Sequence, residues 1–463
     1  MNLVADLLCL LACLTLVTCD RVYVHPFNLF SFNESDCEKL EKLVQEGKTV
    51  VPVSIESQTT PEYEGGMNDN ELEAPSLSTW GEKERSYLSD LVYVLGMRFY
   101  SALQEAQRGQ NVLLSPTSLY SSLVSFYLGA SNQTALDLQS LLGFVPPSGN
   151  PDCTSTAVGS NFLSSLRTIE RLVKSGDKEL LFSKTLSLFC APGIALFQLF
   201  MEHLLPSADA FYARAVDFAN PGEAVKQINA FVEAKGSTAP LGNRLGKDSR
   251  TQTLLLGRNK VRPANVKQAF LLKEPQEFWV DSDTKALVPM LSITGTFRYQ
   301  TDASGAFSAV EVPLSRTALL VLLQPVGGSD LEHLESQESL QTSAWLQHLA
   351  PREIKLKLPA LTLEDSSDLQ ELLADMKMPA LLGKGADFSK ISNDSLTVGK
   401  VINKAFFKLA SDGTDQPEDP AAQKEDGVYL DVTLNKPFLF AVFEKQSRAM
   451  LFLGRVVNPL HED

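Results

Sequence analysis

Histidine is scarce in this 463-residue sequence. There are five, His25, His203, His333, His348 and His461, and none is paired with Cys, His or Asp at a metal-ligand spacing. There is also no G-x-S-x-G, no H-E-x-x-H, no Walker loop and no G-x-G-x-x-G. The carboxylates are too numerous and dispersed to nominate an acid/base pair. An enzyme therefore has no positive signal, and no catalytic residue, metal or cofactor is expected. Long apolar runs are missing beyond the N-terminus: none approaches the ~18 residues of a membrane span, and Thr317 to Leu323 reads as a buried strand. Positive charge is in deficit, with a formal net charge of −15 and a pI of about 4.9. Such a surface repels phosphate backbones and anionic bilayers, so neither nucleic acid nor membrane is an expected partner.

The apolar run Leu7 to Val17 is too short to cross a bilayer. Val17 and Cys19 stand at the −3 and −1 positions of a cut between Cys19 and Asp20, which reads as a secretory signal peptide. The run is preceded by Asp6 and by no Lys or Arg, a departure from the usual pattern. The expected destination is extracellular. Of six cysteines, Cys9, Cys13 and Cys19 leave with the signal. Three thiols then permit one disulfide and one leftover. Cys190 lies in the apolar run L-S-L-F-C and reads as the buried free thiol; Cys37 and Cys153 lie in polar stretches and read as the pair. Three glycosylation sequons, at Asn33, Asn132 and Asn393, agree with secretion.

Length and an apolar fraction of 44% permit either two or three domains or one large α+β domain with extensions. From Asp20 to about Glu84 there is no sustained periodicity. Residues 61–75 combine Pro, Gly and five acidic residues and are expected to be mobile; a short helix can form around Cys37 to Gln45. From Arg85 the spacing of Leu88, Leu91, Val92, Leu95, Phe99 and Leu103 predicts a helix. A second helix starts at Ser115-Pro116 and a third covers Thr134 to Leu142, closed by Gly143. Helices are also predicted at Ala224 to Ala234 and Ser367 to Met376. Strands are predicted at Leu180 to Phe189, Phe278 to Val280, Gly295 to Tyr299, Ala309 to Leu314, Thr317 to Leu323, Lys355 to Leu363, Phe438 to Phe443 and Met450 to Val456. Strands and helices interspersed without βαβ repetition indicate α+β. The polar stretch Ser411 to Gly427 reads as a long exposed loop.

Three blocks are more specific. Asn111 to Pro116, continuing through Leu128-Gly129-Ala130-Ser131 to Thr134, is one. Val288-Pro289-Met290 followed by Gly295-Thr296-Phe297-Arg298-Tyr299 is the second. Leu434 to Phe440 with Phe452 to Pro459 is the third. In this order they resemble the serpin family. The resemblance implies three β-sheets, eight or nine helices and one exposed reactive loop, preceded by a mobile N-terminal extension. It divides the chain into a signal peptide (1–19), an N-terminal tail (20–84) and a serpin domain (85–463).

An inhibitory serpin inserts its cleaved loop into the central sheet through a hinge of small residues. Here Gly413-Thr414 survives at the hinge, but Asp415, Pro417, Glu418, Asp419 and Pro420 follow. Proline lacks the ladder N–H, and an unpaired buried carboxylate costs several kcal/mol. Asn403 also stands where serpins usually carry His. The departures imply a serpin that does not inhibit.

Asp20-Arg21-Val22-Tyr23-Val24-His25-Pro26-Phe27 resembles the angiotensin family of peptide hormones, and Asn28-Leu29 completes a decapeptide. The mammalian peptides usually have His where Asn28 stands. The resemblance implies cleavage at Leu29-Phe30 by an aspartic protease such as renin. A carboxypeptidase of the angiotensin-converting type would then remove Asn28-Leu29. Arg21, Tyr23, His25 and Phe27 would be read by a cell-surface receptor controlling blood pressure and salt and fluid balance. An inhibitory serpin and a hormone-carrying serpin are the alternative readings.

Overall fold

The computed structural model describes residues 22–23, 32–33, 39, 42, 47–59, 65–66, 82–144, 151–175, 181–235, 253–266, 269–302, 305–337, 340, 346, 348–378, 381–383, 385–411 and 428–460. Four short strands come first: β1 (Val22–Tyr23), β2 (Phe32–Asn33), β3 (Thr49–Val50) and β4 (Gly65–Gly66). Helix α1 (Glu82–Ala106) leads through β5 (Val112–Leu114) to α2 (Pro116–Gly129), α3 (Asn132–Leu142) and α4 (Pro151–Ser175). Next come β6 (Leu181–Cys190), β7 (Leu196–Phe197), α5 (Gln198–Leu204), β8 (Ala210–Ala215) and α6 (Pro221–Ala234). A strand-rich stretch follows, with β9 (Thr253–Val266), β10 (Phe270–Leu271), β11 (Gln276–Trp279), β12 (Lys285–Val288), β13 (Met290–Thr301), β14 (Phe307–Pro313) and β15 (Ala318–Pro325). The remainder is α7 (Leu331–Glu335), β16 (Ala350–Pro359), β17 (Leu361–Asp368), α8 (Leu369–Asp375), β18 (Val398–Ser411), β19 (Leu430–Thr433), β20 (Phe438–Glu444) and β21 (Met450–Val456).

Eight α-helices thus occur among the described residues. The strands form a nine-stranded sheet, a six-stranded central sheet ordered β17-β18-β9-β6-β8-β4, and three two-stranded pairs. β13 joins what would otherwise be two sheets: its residues 290–299 pair with β16 and its last four with β14.

Two of the blocks that carried the family resemblance, the first and the third, meet in space. β21 pairs with β5, Gly454 opposite Leu113. The Asn111 amide donates to the Asn458 carbonyl, while its own oxygen accepts from the amides of Val457 and Asn458. A Cβ on Gly454 would stand 2.5 Å from the Val112 carbonyl oxygen, so no larger residue fits there.

Helix α2 lies behind the central sheet with every residue buried. Its four central serines therefore need partners inside the protein. Ser118 and Ser122 both donate to the Asn403 side-chain oxygen, at 3.1 and 3.0 Å. Ser125 donates to the Ser121 carbonyl, and Ser121 accepts from Lys184 Nζ at 2.9 Å. Lys184, 3% exposed, is neutralised by fully buried Glu170 of α4 at 3.0 Å.

Part of the N-terminal extension, residues 48–59, docks on the folded body. β3 pairs with β7, and the amides of Gln198 and Ala215 donate to the carbonyls of Lys48 and Val53. Ile55 is buried with Phe189, Phe218 and Ile228, and the Arg214 guanidinium reaches the Thr59 carbonyl at 3.3 Å. Within 61–75, Gly65–Gly66 pairs with the edge strand β8; the open edge supplies backbone partners that composition does not announce.

The pair behind α2 generates a stability prediction. Removing one partner of a buried ion pair leaves the other uncompensated, at a cost of about 3–5 kcal/mol. Lys184→Met should lower urea-unfolding stability by that order, and adding Glu170→Leu should recover most of it. A single variant as stable as the parent would show that the pair does not carry this charge.

Candidate processing site and reactive loop

The peptide-bearing segment is described in part. β1 and β2 pair antiparallel, Val22 opposite Asn33 and Tyr23 opposite Phe32. The Leu29-Phe30 bond lies in the connection 24–31 between them. Val, Tyr and Phe are strand-favouring residues, so a segment expected to lack secondary structure is paired on both flanks of the bond. Asp20, Arg21 and Val24 to Phe30, with Cys19 and Cys37, lie outside the described residues.

Cys153, 3% exposed near the start of α4, is disulfide-bonded. Its partner lies outside the described residues. Cys190 is the free thiol among those described; it is fully buried, and burial pushes its pKa up to about 12. At neutral pH it is protonated and unreactive.

The described sequons differ in setting. Asn393 and Ser395 are both exposed. Asn132 is exposed but braced: its amide donates to Asp387 at 2.8 Å, and the Asp387 N–H donates to the Thr134 hydroxyl. Partial burial raises the Asp387 pKa, but donation from Asn132 and Ser389 outweighs it and holds the carboxyl below its usual range. Asn33 stands on β2, paired with Val22.

Gly413, Thr414, Pro417 and Pro420 lie outside the described residues, but both ends of their loop are placed. Ser411 ends β18 in the central sheet, and Leu430 begins β19, which pairs parallel with β16 at the edge of the other sheet. β18 and β9 are immediate neighbours, paired in parallel from Val398–Thr253 to Ser411–Val266. No strand lies between them. An inserted loop would have to break that ladder and replace its hydrogen bonds. Asn403 faces inward from β18, 6% exposed, and its two serine bonds are those of a structural amide.

Sequence reasoning missed two elements that matter here, α4 and β9. Val158, Phe162, Leu166, Ile169 and Val173 carry the helical spacing that reveals α4.

Residues 91–459 match the family Serpin (serine protease inhibitor). The chain belongs to the serpin family. Over 473 residues this serpin is 38% identical to angiotensinogen of Homo sapiens, spanning 99% of this chain and 98% of that protein. Angiotensinogen of Bos taurus is 39% identical over 474 residues, again 99% of this chain and 98% of that protein. The plasma serine protease inhibitor of Bos taurus is 27% identical over 83% of this chain and 92% of its own length. Human thyroxine-binding globulin shares the fold with a TM-score of 0.67 at 21% identity, covering 81% of this chain and all of its own. Mouse protein-Z dependent protease inhibitor also gives 0.67 at 21%, covering 81% and 98%. This serpin thus sides with the angiotensinogens, which are not enzymes.

Loop composition and the closed β9–β18 ladder predict how this serpin responds to nicking. Cleavage between Thr414 and Val428 should leave the melting temperature within a few degrees of the intact protein. A rise of tens of degrees would show that the loop enters the sheet despite its prolines and carboxylates.

Proposed function

We propose that this serpin is a secreted prohormone whose mature N-terminus, Asp20 to Leu29, is released by renin. The observation that carries the reading is an angiotensin-like decapeptide directly after a signal-peptide cut, in a chain 38–39% identical to angiotensinogens over 99% of its length. A protease cleft binds its substrate extended, so the β1–β2 pairing must open for Leu29-Phe30 to seat. Pro26 keeps the peptide out of helix. Paired apolar side chains at Leu29 and Phe30 suit an aspartic protease. Loss of Asn28-Leu29 to a converting carboxypeptidase leaves the Phe27 carboxylate as the new end of the octapeptide Asp20 to Phe27. Arg21, Tyr23, His25 and Phe27 then offer a receptor a charge, a phenol, a titratable ring and an aromatic terminus, and the peptide acts as a vasoconstrictor.

The serpin domain is the carrier of that peptide and not an inhibitor. Renin should release a single peptide ending at Leu29, identified by mass spectrometry before and after incubation. A stable covalent complex with a serine protease through the 412–427 loop, or an intact N-terminus after renin, would sink the reading.

A disulfide from Cys153 to Cys37 would tie the tail to α4 seven residues beyond the cut. It closes a loop of more than a hundred residues, for which chain entropy gives about 4–5 kcal/mol as an upper figure. Its position matters more than that stabilisation, because it decides where the bond is held. A glycan on Asn33 would crowd the same cleft and slow cleavage. Renin kcat/KM should therefore differ between oxidised protein and both reduced protein and Cys37→Ser, all free of glycan. Equal values in the three would end the idea, as would a peptide map pairing Cys153 with any other cysteine.

A further inference from the structure

Far from the N-terminal segment in sequence, five parts of the chain line an open cavity of about 910 Å³. They are the end of α1, the β11–β12 turn, the start of α7, the start of β20 and the end of β21. Its volume falls in the range of roughly 300–1,000 Å³ that holds drug-sized molecules.

The cavity is bordered by a buried ion pair that consumes its own charges. Arg455 Nη1 lies 3.2 Å from Glu335 Oε1, with side chains 4% and 1% exposed. The Tyr100 hydroxyl donates to the same oxygen, and Gln104 donates to the other at 2.7 Å. The remaining Arg455 donors go to the carbonyls of Gln110 and Gln107. This pair is a finished piece of structure with no free charge to offer a ligand.

Above it the lining is apolar, from Trp279, Val280, Leu331, Pro437 and Val457. The Trp279 amide donates to the Asn435 carbonyl at 2.8 Å, fixing that wall to the start of β20. One face of the indole is taken by the Lys285 ammonium, 4.0 Å from a ring centroid. With the Glu335–Arg455 pair set aside, the lining carries four carboxylates, Glu105, Asp281, Asp330 and Glu332, against Arg108 and Lys436, and the nearby Lys285 is paired with Glu277 at 2.7 Å. The amides of Asp283 and Thr284 donate to Asp281 and hold its carboxyl below the usual range.

We infer that this cavity binds an amphipathic organic cation, with its apolar body against Trp279, Leu331 and Val457 and its ammonium at the carboxylate rim. Rim and chain are both net acidic, which disfavours a carboxylate or phosphate ligand. The site is separate from the processing segment and does not depend on the prohormone reading.

Full-length mature protein titrated with dansylcadaverine, a fluorescent amphipathic amine, tests the inference. Dansylamide serves as the neutral comparison and anilinonaphthalene sulfonate as the anionic one. The amine should bind saturably at one site and more tightly than either comparison, the advantage shrinking in high salt. Leu331→Trp, which fills the cavity, should weaken it about tenfold. The exposed double change Asp281→Asn with Glu332→Gln should weaken it about threefold at an unchanged melting temperature. No saturable binding of the amine, tighter binding of the sulfonate, or affinity unmoved in the rim variant would overturn the inference.

Discussion

The burial of α2 is the constraint from which much of the architecture follows. A helix with no solvent-facing side is usually apolar all round, yet this one carries Ser118, Ser121, Ser122 and Ser125. Each hydroxyl needs an internal partner: Ser125 finds one in the helix itself, the Ser121 carbonyl, and two strands supply the others, β18 through Asn403 and β6 through Lys184. A buried ammonium then needs a counter-charge, so α4 must place Glu170 against it. Glu170 in turn sits beside Arg167, whose guanidinium bonds Asp209 at 2.7 Å. Burial raises the Asp209 pKa, but Arg167, Lys174 and the Lys184 amide outweigh it and hold the carboxyl low. The sequence of demands ends at the half-exposed edge of the central sheet. It fixes where α4 lies, and with it the cysteine near its first turn.

That polar seam also bears on the reactive loop. Strands that slide or separate to admit a new neighbour need a smooth surface behind them. Here β18 and β6 are each held to α2 by polar side chains, and β9 lies between them, paired with both, its ladder to β18 shifting register at Val398/Lys400 and at Phe407/Leu409. Opening the β9–β18 ladder exposes backbone groups that only an incoming strand with an N–H at each position can satisfy. A segment with Pro417 and Pro420 leaves gaps in such a strand, and Asp415, Glu418 and Asp419 would put charge into the sheet.

Much of this was legible in the sequence, for identifiable reasons. The helices at Glu82–Ala106 and Pro116–Gly129 announce themselves by apolar spacing and by Pro at the first turn; Gly143 closes α3 in the left-handed conformation that glycine tolerates, φ 85°. Cys190 was identifiable as buried from its apolar neighbours. The single predicted strand at Lys355 to Leu363 is in fact the end of β16 and the start of β17, in different sheets. The break falls at Pro359-Ala360, where apolar alternation continues across it and hides the change of partner. Strand pairing is likewise invisible locally: Gly65–Gly66 joins a sheet because β8 has a free edge, not because glycine favours strands.

The N-terminal segment shows how a fixed point can govern a distant bond. Docking at Lys48 to Thr59 anchors the tail on α5 and β8. Phe30 is eighteen residues upstream of Lys48, so an extended chain reaches about 60 Å from the anchor at ~3.3 Å per residue. Over that range a protease could meet the bond well clear of the serpin body. Were Cys37 the partner of Cys153, only seven residues would remain, about 23 Å at the same rise. The β1–β2 pairing shortens the free chain again, since Phe32 is committed to Tyr23. Anchor and hairpin thus act on one variable, the distance at which the segment between them can extend.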